Sequence, residues 1–370
     1  MNKELSVSNK EPFIRMMKRD SLPKWKGICI RIIAVLLSLI VCAIVIVGIT
    51  GQDPMEVYKG IINGAIGTNR RLWVTIRETM ILLLIAVGLT PAFKMKFWNI
   101  GAEGQVLVGG LATAALMIYC GDSMPNWLLV IVMIIASAVA GMIWGLLPAF
   151  FKAHYNTNET LFTLMLNYVA MQLVTFCIVF WENPKGSNTV GIINAATRKG
   201  WFPELFGKPQ MLNVIIVLVI TLGMFIYMKY SKQGYEIAVV GESENTARYA
   251  GINVKKVIIR TVMISGAICG IAGAIIIGGS SHTISTSTAG GRGFTAIIVA
   301  WMSKFNPFVM IIVSAFLVFM QQGSIQIASQ FGLNQNASDI ITGILLFFLI
   351  GCEFFVNYQV EFRRKVRGEE

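Results

Sequence analysis

Two stretches set polar groups between long apolar runs. Residues 97–105 read FWNIGAEGQ, and residues 281–294 read SHTISTSTAGGRGF. The first brings amides and a carboxylate at Asn99, Glu103 and Gln105. The second brings hydroxyls, His282, Arg292 and the ring of Phe294. Such groups hydrogen-bond and stack, which suits the holding or passing of a small polar solute. They equally suit a solvated loop and a structural break, and both readings stay open at this point.

Covalent chemistry finds no equipment. The chain has two histidines, His154 and His282, far apart, and six scattered cysteines without a CxxC pair. No metal site, disulfide framework or nucleophile–base pair follows from them. There is no G-x-x-x-x-G-K-[ST], and no lysine is followed by Ser or Thr. A loop to cradle nucleotide phosphates is therefore missing. If ATP powers anything here, its hydrolysis belongs to another chain. No cofactor and no metal are expected.

The individual polar residues each carry two readings. Glu103 lies at the expected start of a helix, where the dipole favours a carboxylate by about 0.3–1 kcal/mol; it is either a stabilised structural break or a polar wall of a solute path. Gln105 shares that choice, and Asn99 is placed to cap the helix. Asn158 reads as a helix cap, with Glu159 in the first turn behind it. Asn167 falls deep in an apolar run and reads as a solute contact or a bond to another helix. Arg77 and Glu78 are adjacent on a helix, so their side chains are expected to point apart, with Arg77 reaching toward lipid headgroups.

The elements that must position these groups are membrane helices. Of 370 residues 55% are hydrophobic and 14% charged, against about 25% charged in soluble domains. The apolar residues come in runs near the ~20 residues that span hydrocarbon. The fold class expected is all-α and polytopic, with about ten transmembrane helices at 28–49, 72–93, 104–120, 126–150, 159–181, 210–230, 256–279, 290–303, 306–325 and 337–356. The first run exceeds a signal-peptide core and lacks an A-x-A site after it, so it reads as a retained helix. With the N-terminus inside, 22 of the 31 Lys and Arg fall on cytoplasmic segments, among them Lys94, Lys96, Lys255, Lys304 and Arg363–Arg367. Positive-inside bias thus orients the chain. The net charge of +12 reads as topology plus attraction to anionic lipid, not as nucleic-acid binding. The eighth span has only a short strongly apolar part, Phe294–Met302. A re-entrant segment there would put Arg363–Arg367 outside, so a crossing is preferred.

Ten helices divide into two inverted five-helix halves, because an odd number per half makes the second half enter from the opposite side. The two polar stretches then occupy corresponding positions, one approached from each face. Gly141 and Gly145 form a GxxxG, as do Gly266 and Gly270, with Gly273 and Ala274 following. Small residues at this spacing let membrane helices approach closely.

One soluble stretch, 231–256, is longer than a connection needs. Ser243 can cap a short helix over Glu244–Ala250, and Gly251 can end it in a left-handed conformation. A rigid element at that place reads as a surface helix or as a knob that receives a push from a partner.

Four stretches carry a family resemblance. VGESENTARYAGI (240–252) resembles the coupling-helix segment of permease subunits in bacterial ABC importers. FWNIGAEGQ resembles a signature of the branch that carries nucleosides and simple sugars with basic-membrane-protein-type lipoproteins. KAHYNTNETLFTLMLNY (152–168) and GFTAIIVAWMSKFNP (293–307) fit the same branch. The likeness covers roughly residues 75–355. AWMSKFNP departs mildly from the ALLGRLNP-like form common in that branch.

The resemblance implies a transport subunit and no enzyme. It implies cytoplasmic ATPase subunits, an extracellular substrate-binding lipoprotein, and a second permease, homologous or identical, all at a bacterial cytoplasmic membrane. The chain would comprise a basic cytoplasmic tail (1–27), a permease domain (28–356) with a coupling loop (231–256), and a cytoplasmic C-terminal tail (357–370). Glu244, Ala247, Arg248, Tyr249 and Gly251 would couple to the ATPase. Asn99, Glu103, Gln105, Asn167 and Phe294 would flank the solute path. The solute implied is a nucleoside, purine first; a simple sugar or other small solute is the alternative. An ion-coupled secondary transporter is the other class, but it needs carboxylates deep in the membrane, and mid-span positions offer almost none.

Overall fold

A computed structural model describes residues 14–18, 23–51, 53–208, 210–332 and 335–362. The basic cluster Arg363–Arg367 and residues 1–13, which bear on the expected orientation, lie outside the described residues. The chain divides into two compact units, residues 65–319 and the joined segments 1–64 and 320–370. Among the described residues the fold is all-α apart from one short ribbon, and eight helices are long and apolar enough to cross a membrane.

The larger unit is built of packed helices. These helices are α3 (Asn69–Lys94), α4 (Ala102–Cys120), α5 (Asn126–Tyr155), α6 (Glu159–Trp181), α7 (Met211–Tyr230), α8 (Lys232–Glu242), α9 (Glu244–Tyr249), α10 (Val254–Ile276, continued by a π turn over Ile277–Ser281), α11 (Arg292–Met302) and the start of α12 (Pro307–Gln330). Every residue of α3 from Ile81 to Phe93 is buried, as expected of a helix without a polar face. α6 buries a single stripe, Thr163, Asn167, Ala170, Val174 and Ile178. Its exposed face carries Leu161, Met165, Phe176 and Phe180. Polar and small residues inside with large apolar ones outside reverse the pattern of a soluble helix, and fit a chain whose solvent is lipid.

Glycines set the closest approaches. A Cβ on Gly141 would fall onto the carbonyl oxygen of Gly266, and one on Gly270 onto that of Ser137. A Cβ on Gly109 would meet the Gly270 backbone, and one on Gly273 the Val106 carbonyl and the Gly110 amide. The two GxxxG pairs read from sequence therefore face each other, with α4 joining the same seam against α10.

α11 differs from the span expected at 290–303. It has 11 residues, a rise of only about 16 Å, roughly half of the hydrocarbon. The preceding α10 runs away from the Lys94 end of the bundle, and its π turn is met there by the Phe202 amide, which donates to Gly278 O at 2.9 Å. α11 returns, and its Trp301 lies against Phe93 and Trp98. The return is made by a stretch of bends and turns followed by a short helix.

The smaller unit holds α1 (Lys24–Thr50), α2 (Pro54–Ile66), the end of α12 and α13 (Gln335–Asn357). α2 lies where the sequence reading had placed a loop. Its buried residues Val57, Gly60, Ile61, Gly64 and Ala65 follow a helical period, which Glu56 and Lys59 mask in a hydropathy average. The segments expected as tails carry a ribbon. β1 (Ile14–Lys18) pairs antiparallel with β2 (Tyr358–Phe362), Ile14 opposite Phe362.

Replacing Gly270 by Ala puts a methyl group onto a backbone carbonyl that has no room to retreat. Thermal unfolding of the detergent-solubilised chain is expected to show a loss of about 2 kcal/mol or more. Gly223→Ala, where no atom lies within 4 Å of the new Cβ, is expected to be neutral or slightly stabilising, since alanine is the better helix former.

Candidate functional site

The FWNIGAEGQ stretch is a turn that stops one helix and starts the next. Pro91 lies in the last turn of α3, and Lys96 takes a left-handed φ of 62°. Lys96 N–H donates to Phe93 O at 2.9 Å and Phe97 N–H to Ala92 O at 3.0 Å, closing the helix. Phe97 is then buried, which pins the turn. Asn99 is fully buried; its Oδ1 accepts from Gly101 N–H at 3.1 Å, and its Nδ2 donates to Ser265 Oγ at 3.2 Å. The N-cap position of α4 is Gly101, without a side-chain bond. Asn99 therefore ties the residue before the helix to α10 instead of capping the helix directly. Gln105 is buried and bonds the Asn99 amide at 3.4 Å.

The cap is supplied from another helix. Asn167 of α6 accepts from Gly104 N–H at 2.9 Å and donates to Ile100 O at 3.0 Å. Of the two readings offered for Asn167, the bond to another helix is the one formed here. A Cβ on Gly104 would lie 2.9 Å from the Asn167 Oδ1, so this glycine makes room for the bond.

Glu103 completes the junction. Its Oε1 accepts from Gly291 N–H at 2.7 Å and its Oε2 from Gly293 N–H at 2.8 Å. Gly291 is the N-cap of α11, with φ 73°. One carboxylate thus lies in the first turn of α4 and takes two amides at the start of α11, so both helix N-termini share one negative charge. The two polar stretches paired by position meet at this carboxylate.

A second carboxylate fixes the same segment. Arg292 Nη2 lies 2.6 Å from Glu78 Oε2, with Nε at 3.1 Å, while its Nη1 donates to the carbonyls of Thr288 and Ala289 at 3.2 Å each. Glu78 Oε1 takes Arg77 Nη2 at 2.8 Å. The expectation that Arg77 and Glu78 point apart is overturned: with Arg292 holding one oxygen, the guanidinium of Arg77 folds back onto the other. Arg77, Glu78, Arg292 and Glu103 form an alternating row of charges whose formal sum is zero, and compensation of this kind is what makes charge tolerable away from water.

The remaining residues of 281–294 serve elsewhere. His282 stacks on Trp201 with ring centroids 3.8 Å apart, and burial there pushes its imidazole below the usual histidine range. Ser285, Ser287 and Thr288 bond one another. Phe294 is 43% exposed, and Trp301, two turns on along the same helix face, is 44% exposed. Trp98 stacks on Trp301 at 5.4 Å. This aromatic stripe was not singled out from sequence, although both tryptophans stand within the quoted motifs.

The short helix expected over Glu244–Ala250 is α9. Ser243 Oγ accepts from Thr246 N–H at 3.3 Å, and Gly251 has φ 77°. The stretch before it, for which the sequence reading named no helix, is the additional helix α8. Tyr249 is 94% exposed, while Ala247 is fully buried. Ala247 joins a cluster with Ala92, Met95, Phe97, Ile237 and Val262. Glu244 and Arg248 pair along the helix at 3.2 Å. Arg260 of α10 meets Glu236 of α8 at 3.0 Å, and a Cβ on Gly241 would strike the Lys94 carbonyl. The exposed knob is thus bound to the end of α3, immediately before the Asn99 junction.

An exposed knob, two helix starts that meet at one carboxylate and a lipid-adapted bundle agree with the family likeness, and comparison decides it. Residues 73–350 match the family described as branched-chain amino acid transport system / permease component. The chain belongs to this family. It is 27% identical over 321 residues to the guanosine ABC transporter permease protein NupP of Bacillus subtilis, covering 86% of this chain and 91% of that one. It is 25% identical to the nucleoside ABC transporter permease protein NupB of Lactococcus lactis subsp. cremoris, covering 94% and 97%. It is also 25% identical to the glucose ABC transporter permease protein TsgB13 of Haloferax volcanii, covering 96% of each. The chain is a multi-pass membrane permease component, a transport subunit and not an enzyme.

In this permease Glu103→Ala leaves the buried Gly293 amide and the half-buried Gly291 amide at the start of α11 without an acceptor. At roughly 1–3 kcal/mol for each orphaned group, the loss expected in unfolding measurements is about 3 kcal/mol. Glu103→Gln keeps one acceptor oxygen and is expected to lose about half as much.

Proposed function

We propose that this permease is the membrane subunit of an ATP-driven importer for a nucleoside, with purine nucleosides favoured. ATP is hydrolysed by separate cytoplasmic ATPase subunits, an extracellular lipoprotein delivers the solute, and a second permease, identical or homologous, completes the pathway. The observation that carries the reading is the α9 knob, exposed at Tyr249 and packed at Ala247 against the end of α3. An element that is accessible on one side and rigidly seated on the other can receive force and pass it on.

The chain lies in a bacterial cytoplasmic membrane with both ends in the cytoplasm. The β1–β2 pairing, which brings the two ends together, and the basic residues near α9 support this orientation. Residues 1–27 and 357–370 flank the permease domain, and 231–256 is the coupling segment.

Nucleosides are favoured by the guanosine and nucleoside permeases among the relatives and by the aromatic stripe Phe294–Trp301–Trp98. A base stacks on such faces, while ribose needs hydrogen-bond partners. The glucose permease among the relatives keeps a simple sugar as the second reading. On the proposed pathway, Glu103, Asn99, Gln105 and Asn167 hold the two helix starts in register, and Phe294 faces the solute. Movement of α9 tilts α3 and α10 and opens the pathway to alternate faces.

The test is uptake of radiolabelled guanosine and glucose by cells expressing the whole transporter. Tyr249→Ala is expected to cut uptake at least tenfold while the chain still reaches the membrane. Phe294→Ala is expected to raise KM for guanosine more than it lowers the maximal rate. Uptake that survives ATP depletion while an ion gradient persists defeats the proposal, and uptake of glucose but not guanosine selects the second reading.

A further inference from the structure

Three helix ends on the Lys94 side of the larger unit surround a cavity of about 390 Å³. Lys94 closes α3, Lys229 lies in the last turn of α7, and Lys304 follows α11; all three line the cavity. Among the described residues, none of the three has a carboxylate partner; the ion pairs there are made by Arg77, Lys152, Arg248, Arg260 and Arg292. Lysines at helix C-termini do complement the dipole. That accounts for each alone, and leaves three uncompensated cations around one hollow.

The cavity wall is built, not merely crowded. Lys304 and Phe305 both hold left-handed backbone, with φ 48° and 61°, a conformation that side chains other than glycine rarely adopt. Their amides donate to the carbonyls of Trp301 and Ala300 at 3.0 and 3.1 Å. Backbone held in this way at two successive residues marks a place where the surroundings dictate the shape. Opposite, Met224, Phe225 and Met228 give the cavity an apolar side, and Lys229 Nζ sits 5.4 Å over the Phe225 ring. Further along α7, Leu218, Leu222 and Ile226 are exposed and continue that apolar surface.

We propose that Lys94, Lys229 and Lys304 bind the phosphate headgroup of an anionic phospholipid, whose acyl chain lies along α7. The charge calls for an anion. The apolar wall beside it selects a lipid over a free phosphate, which gains nothing from Met224, Phe225 or Met228. Basic pockets between membrane helices are suited to such headgroups. The proposal rests on the orientation given above only for the leaflet, which is the cytoplasmic one; the binding itself is independent of solute and of ATP.

The test uses the purified full chain in a neutral detergent, with phosphatidylglycerol titrated in and bound lipid counted by native mass spectrometry. Phosphatidylglycerol is expected to bind and phosphatidylcholine to bind at least tenfold more weakly. The triple variant Lys94→Gln, Lys229→Gln, Lys304→Gln is expected to need about 100-fold more phosphatidylglycerol, each lost lysine–phosphate pair costing roughly a factor of five. A charge-matched control, Lys24→Gln, Lys26→Gln, Lys232→Gln, is expected to stay within about threefold. Equal loss in the control, or equal binding of phosphatidylcholine, overturns the site in favour of general surface attraction. Displacement of the lipid by millimolar inorganic phosphate overturns it in favour of a free anion. If the Gln triple does not fold, the Arg triple is expected to keep binding and Met228→Trp, which fills the apolar side, to weaken it at least tenfold; unchanged binding in Met228→Trp defeats the proposal.

Discussion

Everything in the larger unit is arranged around one carboxylate that serves two helix starts. In hydrocarbon a backbone amide has no water to fall back on, so a helix that begins inside the bundle must find acceptors from the chain itself. α4 and α11 both begin there. Glu103, in the first turn of α4, supplies acceptors to Gly291 and Gly293 of α11, and Asn167 supplies one to Gly104 of α4. The glycines follow from this need. A Cβ on Gly293 would lie 2.6 Å from Glu103 N, so only a residue without a side chain lets the two starts come within bonding distance. Arg292, between those glycines, then has its side chain free to reach Glu78.

Such a junction is not there for stability alone. An apolar replacement of a buried ion network of the same volume is often neutral or better, and an unbroken helix would satisfy its own amides. What the broken arrangement supplies is polar backbone and an exposed aromatic face within a bundle that elsewhere is sealed by Gly-to-backbone contacts. α5 and α10 approach so closely along Gly141, Gly266 and Gly270 that they move as one body if they move at all. The deformable parts are then the turns that precede α4 and α11: the left-handed residues at Lys96, Gly290 and Gly291.

Much of this was legible in the sequence, and what was not has a common cause. Helix positions were legible because apolar runs of span length need no partner to be recognised. The α9 cap at Ser243 and its end at Gly251 were legible because capping is local. Glu103 could be placed at a helix start, but its acceptor role could not be read: its partners are backbone amides 188 and 190 residues away, and any residue type carries those. The Glu78–Arg292 pair spans 214 residues and leaves no local pattern. α2 was missed because two charges hide its stripe from a hydropathy average, and α8 because a mixed polar helix looks like loop until something packs on it. The family motifs marked the right stretches without saying that FWNIGAEGQ bonds two of the others.

The chain of contacts from knob to junction now explains why those motifs lie where they do. Ala247 seats α9 in a cluster whose other members include Met95 and Phe97. Two residues beyond Phe97 stands Asn99, which is bonded to Ser265 of α10 and to Gln105 of α4. Two residues before Gln105 stands Glu103, which holds α11. Packed side chains and buried hydrogen bonds link these residues without a break, so on the proposed reading a displacement imposed on the exposed Tyr249 face is carried to the start of α11. A softer seat under α9, such as a polar loop, would absorb the push locally. The buried alanine in the middle of an otherwise exposed helix is therefore as much a part of the coupling device as the tyrosine that meets the partner on the proposed reading.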